Sequence, residues 1–229
     1  MREIVLDTET TGLDATNGDR IIEIGAVELW NHIETGKTYH QYINPQRSVP
    51  MEAVEVHGLD DAFLRNKPTF MEIGQAFLAF IEDSTLVIHN AEFDLTFLNV
   101  ELSLVGLQTL DPDRSIDTLA MAKKKFPGSA KSLDALCRRF GIDYSSREVH
   151  GALIDAKILA NVYLELIGGR QPGFLGTNTG LASLSAEMES WKPTQRPKTL
   201  PSRLTDAEKA AHDAFIAKLG DHVLWSMGQ

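Results

Sequence analysis

Close to the start of the chain an apolar, largely β-branched run, Ile4-Val5-Leu6, passes directly into Asp7-Thr8-Glu9-Thr10-Thr11-Gly12. Such a run favours a central, covered strand, and residues two apart on a strand share a face. Asp7 and Glu9 therefore point the same way and Thr8 points to the other face. Carboxylates held side by side repel unless a proton or a cation lies between them. Oxygen ligands of this kind suit hard cations such as Mg²⁺ or Mn²⁺. Taken alone, the pair reads better as a solvated acidic strand end. Two further acids in similar settings argue against that.

The second setting follows another apolar run. Leu86-Val87-Ile88 leads into His89-Asn90-Ala91-Glu92-Phe93-Asp94. Helical spacing over 92–105 puts Phe93, Phe97, Val100 and Leu104 on one side. Asp94 falls in the first helical turn, where the helix dipole favours an acid. In the third setting Asp155 opens an apolar helix carrying Ile158, Leu159, Val162, Tyr163 and Leu166. His150 stands just before Gly151, which permits a turn. Asp117, in Ser115-Ile116-Asp117-Thr118, joins a strand end to a helix and is assigned to an N-cap rather than to the acidic set.

Asp7-Thr8-Glu9-Thr10-Thr11-Gly12-Leu13, the Asn90-to-Asp94 segment and His150-Gly151-Ala152-Leu153-Ile154-Asp155-Ala156 together resemble the three exonuclease motifs of the DEDDh 3′–5′ exonucleases. Within that family the chain is most similar to the proofreading epsilon branch of bacterial DNA polymerase III. Ile21-Ile22-Glu23-Ile24-Gly25-Ala26-Val27-Glu28, Val56-His57-Gly58-Leu59 and Ser132-Leu133-Asp134-Ala135-Leu136-Cys137 support the narrower likeness. The resemblance implies an α/β, ribonuclease H-like fold with a mixed five-stranded sheet flanked by helices. It also implies phosphodiester hydrolysis with two divalent metal ions, Mg²⁺ or Mn²⁺, held about 3.5–4 Å apart. By resemblance Asp7, Glu9, Asp94 and Asp155 are the metal ligands and His150 the general base. An imidazole with an unperturbed pKa of about 6.5 suits that task near neutral pH. Glu9, Thr10, Thr11, Gly12, Leu13, Glu52, His57, Asn90, Phe93 and His150 are the residues expected around the 3′-terminal nucleotide. A ribonuclease of the same family acting on RNA 3′ ends would share the catalytic set. The motifs leave that reading open, and also a non-catalytic adaptor between polymerase and clamp.

Strands are expected at about 3–8, 21–30, 37–43, 86–89 and 114–117. Helices are expected at about 69–82, 92–105, 117–126, 132–140 and 152–167. The polar connections Asp14–Asp19 and Asn31–Gly36 suit an antiparallel meander, and strand–helix alternation afterwards favours parallel pairing. The exonuclease domain is placed at 1–168. A Gly-, Pro-, Ser- and Thr-rich linker is read at 169–204 and a helical tail at 205–229. In the linker, Gln171, Phe174 and Leu175 resemble a sliding-clamp docking motif. In the tail, Thr205 and Glu208 form a capping box, and Phe215, Leu224 and Trp225 offer apolar anchors. By resemblance this tail holds the polymerase alpha subunit. A small theta-type stabilising subunit is a further partner in part of the branch.

The single Cys137 excludes an internal disulfide and suits a reducing compartment, and no apolar run approaches a membrane span. With the first strand starting at once, no signal peptide is expected, and the cytoplasm is the expected compartment. A net charge of −10 is unusual for a chain that holds nucleic acid by itself. Part of the acidity belongs to the metal cluster, where bound cations reverse the local sign. Lys123-Lys124-Lys125, Lys131 and Arg138-Arg139 supply local basic groups. The balance predicts weak affinity of the isolated chain for its substrate, a single-stranded or frayed DNA 3′ end.

Overall fold

A computed structural model describes residues 1–144, 150–169 and 204–219. The chain divides into two units, Met1–Thr177 and Asn178–Gln229. In the first unit, β1 (Arg2–Thr10), β2 (Ile21–Trp30), β3 (Ile33–Tyr42), β4 (Thr85–Ile88) and β5 (Ser115–Asp117) form one sheet in the order β3-β2-β1-β4-β5. β1, β2 and β3 pair antiparallel, whereas β4 lies parallel to both β1 and β5. The expected meander and the later parallel pairing are both present.

Strict alternation along β1 sorts the two faces. Ile4 and Leu6 join a core with Phe77, Phe97 and Leu98 from helices α3 (Phe70–Ile81) and α4 (Ala91–Leu104). Val5 turns to the other face and packs with Ala156, Leu159 and Tyr163 of α7 (Ala152–Ile167). Asp7 and Glu9 continue the α7 face, and Thr8 continues the α4 face. α5 (Thr118–Lys125) and α6 (Leu133–Phe140) cover the outer side of α7 through Ala122, Leu136 and Cys137. α7 is tied down at its far end as well, where the Tyr163 hydroxyl donates to Glu3 Oε1 at 2.6 Å.

The structure departs from expectation in three places. β3 begins at Ile33 rather than near 37, because the connection is a tight turn with Asn31 and His32 both at positive φ (50° and 66°). Two left-handed residues suit the twist of a two-residue hairpin. Most of β3 is exposed on both faces, so it shows no apolar alternation to read. Two short helices, α1 (Met51–His57) and α2 (Asp61–Leu64), were not anticipated. α1 has no side-chain N-cap and buries only His57, so neither a capping signal nor an apolar stripe marks it.

In the second unit α8 (Asp206–Leu219) matches the expected tail helix. Its capping box is formed: the Thr205 N–H donates to Glu208 Oε2 at 2.9 Å, and the Glu208 N–H donates to Thr205 Oγ1 at 3.2 Å. Phe215 on this helix is exposed. Gln171, Phe174, Leu175, Leu224 and Trp225 lie outside the described residues.

Candidate active site

β4 stops at Ile88 while β1 runs on to Thr10, so among the described residues no strand lies beside residues 7–10 of β1 on the β4 side. The start of α4 fills that place. The chain enters α4 through Asn90, whose backbone is left-handed (φ 70°, ψ 56°). The Asn90 N–H donates to Asp117 Oδ1 at 3.0 Å, and the same oxygen accepts the Leu119 N–H at 2.9 Å. Asp117 is therefore the N-cap of α5, as expected, and also a brace for the turn into α4.

This turn delivers Asp94 to the free edge of β1. Asp94 is buried, and its Oδ1 accepts the Thr8 N–H at 3.1 Å and the Thr8 hydroxyl at 2.7 Å. Burial pushes its carboxyl up to about 7, with the hydrogen bonds from Thr8 opposing the shift and the charge of Asp117 adding to it. A neighbouring divalent cation would reverse that balance. Thr8 is a supporting residue that sequence reasoning passed over. Its signal was the alternation itself, which points a hydroxyl toward the α4 side.

On the α7 face, Asp7 and Glu9 are half-buried and Asp155 is buried. Gly25 lies directly opposite Asp7 on β2, and an added Cβ there would sit 2.1 Å from Leu153 N. The missing side chain lets the start of α7 press onto the strand beside the acids. Glu9, His150 and Asp155 each offer a ligand atom, and these atoms lie within 4.8 Å of one another. His150 Nδ1 stands 3.4 Å from Asp155 Oδ2, and the His150 ring is about half exposed. Two carboxylates and an imidazole in such proximity suit a divalent cation, and Asp7 extends the carboxylate set along the same face.

A register shift between Glu9 and Thr10 ends the regular pairing of β1 with β2. The following turn wraps the Asp19 carboxylate. Thr11 Oγ1 donates to Asp19 Oδ1 at 3.2 Å, and the Asp14 N–H donates to Oδ2 at 3.1 Å. A Cβ on Gly12 would lie 2.2 Å from that Oδ2, so a larger residue there would displace the Asp19 carboxylate from the turn. Thr10 bonds the Gly12 carbonyl at 2.6 Å, and Leu13 projects into solvent. Leu13, Asn90, Phe93 and Phe97 line a cleft of about 270 Å³ between this turn and the start of α4.

His57 lies near His150. It is buried at the end of α1, where its Nδ1 accepts the Leu59 N–H at 3.0 Å. The proton is thereby assigned to Nε2, which is buried and has no hydrogen-bond partner among the described residues. Burial, and then the nearby His150, hold the His57 imidazole below its usual range. The His150 N–H donates to the Val56 carbonyl at 3.3 Å, so α1 and the approach to α7 are stitched together. Glu52 is exposed in the first turn of α1 and shares only that helix with the cluster. Two of the basic groups serve the fold instead. Lys125 Nζ donates to the Leu166 carbonyl at the end of α7, and Arg139 stacks on Phe126.

The exonuclease (RNase T) family model matches residues 4–163. DNA polymerase III subunit epsilon of Rickettsia typhi is 56% identical over 222 residues, covering 96% of this chain and 97% of the relative. That of Escherichia coli is 42% identical, covering 98% and 97%. The chain belongs to the DNA polymerase III subunit epsilon family. Among solved structures, the nuclease domain of 3′hExo, a DEDDh family member, superposes with a TM-score of 0.62 at 21% identity over 72% of this chain and 90% of that one. Exonuclease I gives a TM-score of 0.64 at 18% identity over 75% of this chain and 41% of that one. These two likenesses establish the fold. As an epsilon-family member the chain is a divalent-metal-dependent 3′–5′ exonuclease of the proofreading type. Among the described residues no helix is long and apolar enough to cross a membrane.

Proposed function

We propose that this exonuclease removes mispaired 3′-terminal nucleotides from DNA as mononucleotides, at a centre built from Asp7, Glu9, Asp94 and Asp155 with His150 as general base. The observation that carries the reading is the convergence of Glu9, His150 and Asp155 within 4.8 Å. These three residues come from two distant stretches of chain. Two divalent ions, Mg²⁺ or Mn²⁺, would be held by the four acids and would supply charge neutralisation at the phosphate and at the leaving 3′ oxygen.

The chain's own residues do the rest. His150 accepts the proton of the attacking water, and its Nδ1 stands 3.4 Å from Asp155 Oδ2. The unpartnered His57 Nε2–H is a ready donor to the terminal nucleotide. Leu13 and Phe93 offer apolar contact to the last base across the cleft, with Asn90 on its lining. Contacts to base faces and phosphate without base-edge readout fit an enzyme that must accept any terminal base.

The exonuclease domain is assigned to 1–168. The tail helix, with Phe215 exposed, is assigned to the polymerase alpha subunit. The 171–175 segment is assigned to the sliding clamp, and a theta-type subunit remains a candidate partner on the domain. The cytoplasm, where replication takes place, is the inferred compartment.

The test is degradation of a 5′-labelled single-stranded DNA oligonucleotide with Mg²⁺, beside RNA of the same sequence, by the wild type and by Asp7→Ala. Stepwise shortening of DNA, abolished by the substitution and by chelation, is expected. A strong preference for RNA would overturn the DNA reading.

A further inference from the structure

Glu23 is an acid inside the apolar run Ile21-Ile22-Glu23-Ile24, and no catalytic role falls to it. It lies on β2 directly opposite Glu9, just as Gly25 lies opposite Asp7. Directly paired residues share a face of the sheet, so Glu23 looks toward α7 with the acids. It is 3% exposed. Both of its oxygens are engaged. Oε1 is 2.6 Å from His40 Nε2, on β3, and Oε2 accepts the Ala152 N–H at 3.2 Å.

Ala152 is the first residue of α7, and its N–H is one of the donors that a helix start leaves without an internal partner. The residue before it, Gly151, makes no side-chain cap. A buried acid from the neighbouring strand takes that place. His40, opposite Gly25 and partly exposed, supplies the partner that a buried carboxylate needs. The anchored N–H lies between His150 and Asp155 in the chain, so whatever holds Ala152 sets where both groups stand relative to Glu9.

Building on the exonuclease reading of this site, we propose that Glu23, braced by His40, is a positioning residue for catalysis: it docks the start of α7 on the strand paired with Asp7 and Glu9, and so fixes Asp155 and His150 against those acids. Neither residue touches the reacting atoms. Their effect passes through the placement of α7, where a shift of about 1 Å can cost on the order of 100-fold in rate.

The experiment uses the full chain. Metal-dependent degradation by the wild type, lost in Asp7→Ala, first secures the underlying reading. Glu23→Ala, Glu23→Gln and His40→Ala are then compared for kcat, for KM on single-stranded DNA, and for Mn²⁺ affinity by calorimetry, which reports on the anchor without turnover. Glu23→Ala is expected to lower kcat by about 10–100-fold and to weaken Mn²⁺ binding by about 10-fold, with KM for DNA little changed. Glu23→Gln keeps an oxygen for Ala152 and a polar contact to His40, and recovers most of both. Equal losses in Glu23→Ala and Glu23→Gln, or wild-type kcat and Mn²⁺ affinity in Glu23→Ala, overturn the proposal. Where Glu23→Ala does not fold, His40→Ala decides: it strips Glu23 of its partner, and wild-type kcat and Mn²⁺ affinity there overturn the proposal equally.

Discussion

Thr8 and Asp94 are joined by two hydrogen bonds, from the Thr8 N–H at 3.1 Å and the Thr8 hydroxyl at 2.7 Å. They lock the strand that carries the half-buried Asp7 and Glu9 to the helix that carries the buried Asp94. Thr8→Val conserves shape and removes the hydroxyl alone. A buried acceptor that loses a partner costs about 1–3 kcal/mol. Urea denaturation should show a loss in that range, together with lower kcat; an unchanged midpoint would mean that the second bond is dispensable.

The Asp94 carboxyl, raised to about 7 from an ordinary 3.8, makes both stability and metal affinity depend on pH. Without metal the folded chain keeps a proton that the unfolded chain releases. This contribution is fully present below the unfolded value and is lost as pH rises through the folded one. Metal binding requires the ionised form, so affinity should climb toward pH 7 and then level off. The rise in Tm produced by Mn²⁺ should be larger at about pH 8 than at about pH 6, and Asp94→Asn should flatten the metal-free trend. An equal Mn²⁺ effect at both pH values in the wild type would contradict the assignment.

His150 stands 3.4 Å from Asp155 and is half exposed. As general base its loss should lower kcat by about 100- to 10,000-fold. His150→Ala is expected to retain near-normal KM for DNA in steady-state assays. A fall of only a few-fold would move the base elsewhere.

Asn90 holds a left-handed backbone at φ 70°, a conformation that glycine adopts without strain. Asn90→Gly should therefore be neutral or slightly stabilising in thermal melts while raising KM, since the side chain on the cleft is gone. Asn90→Val should lose stability and activity together. An unaltered KM in the glycine variant would remove Asn90 from the nucleotide contacts.

Phe215 is 59% exposed on the tail helix. Phe215→Asp should leave degradation of free oligonucleotides untouched and abolish co-elution with the polymerase alpha subunit. Retained co-elution would direct attention to the segment after Gly220.

Motif reading singled out the acids and His150, and located most strands, because each left a one-dimensional mark. An apolar strand ending in acid, a helix opening with one, and a glycine beside a histidine are all visible in order along the chain. α1 and the early start of β3 left none, since one lacks a cap and the other is exposed on both sides. Glu23 did leave a mark, a charge within Ile21-Ile22-Glu23-Ile24, but its partners are His40 and Ala152, remote in sequence. Two of the expected basic groups proved to serve packing, as Lys125 shows at the end of α7.

The sequence by itself determined that Asp7 and Glu9 share one face, that Thr8 takes the other, and that Asp94 and Asp155 open helices. Those are consequences of the 2-residue and 3.6-residue periods of the backbone. Only the tertiary structure decided that His150 and Asp155 meet Glu9, that the His150 N–H reaches the Val56 carbonyl beside His57, and that burial raises the Asp94 carboxyl. These depend on how closely α7 and α4 approach β1. The approach is set by Gly25, by the end of β4 at Ile88 and by the left-handed turn at Asn90, acting between segments that no local pattern connects.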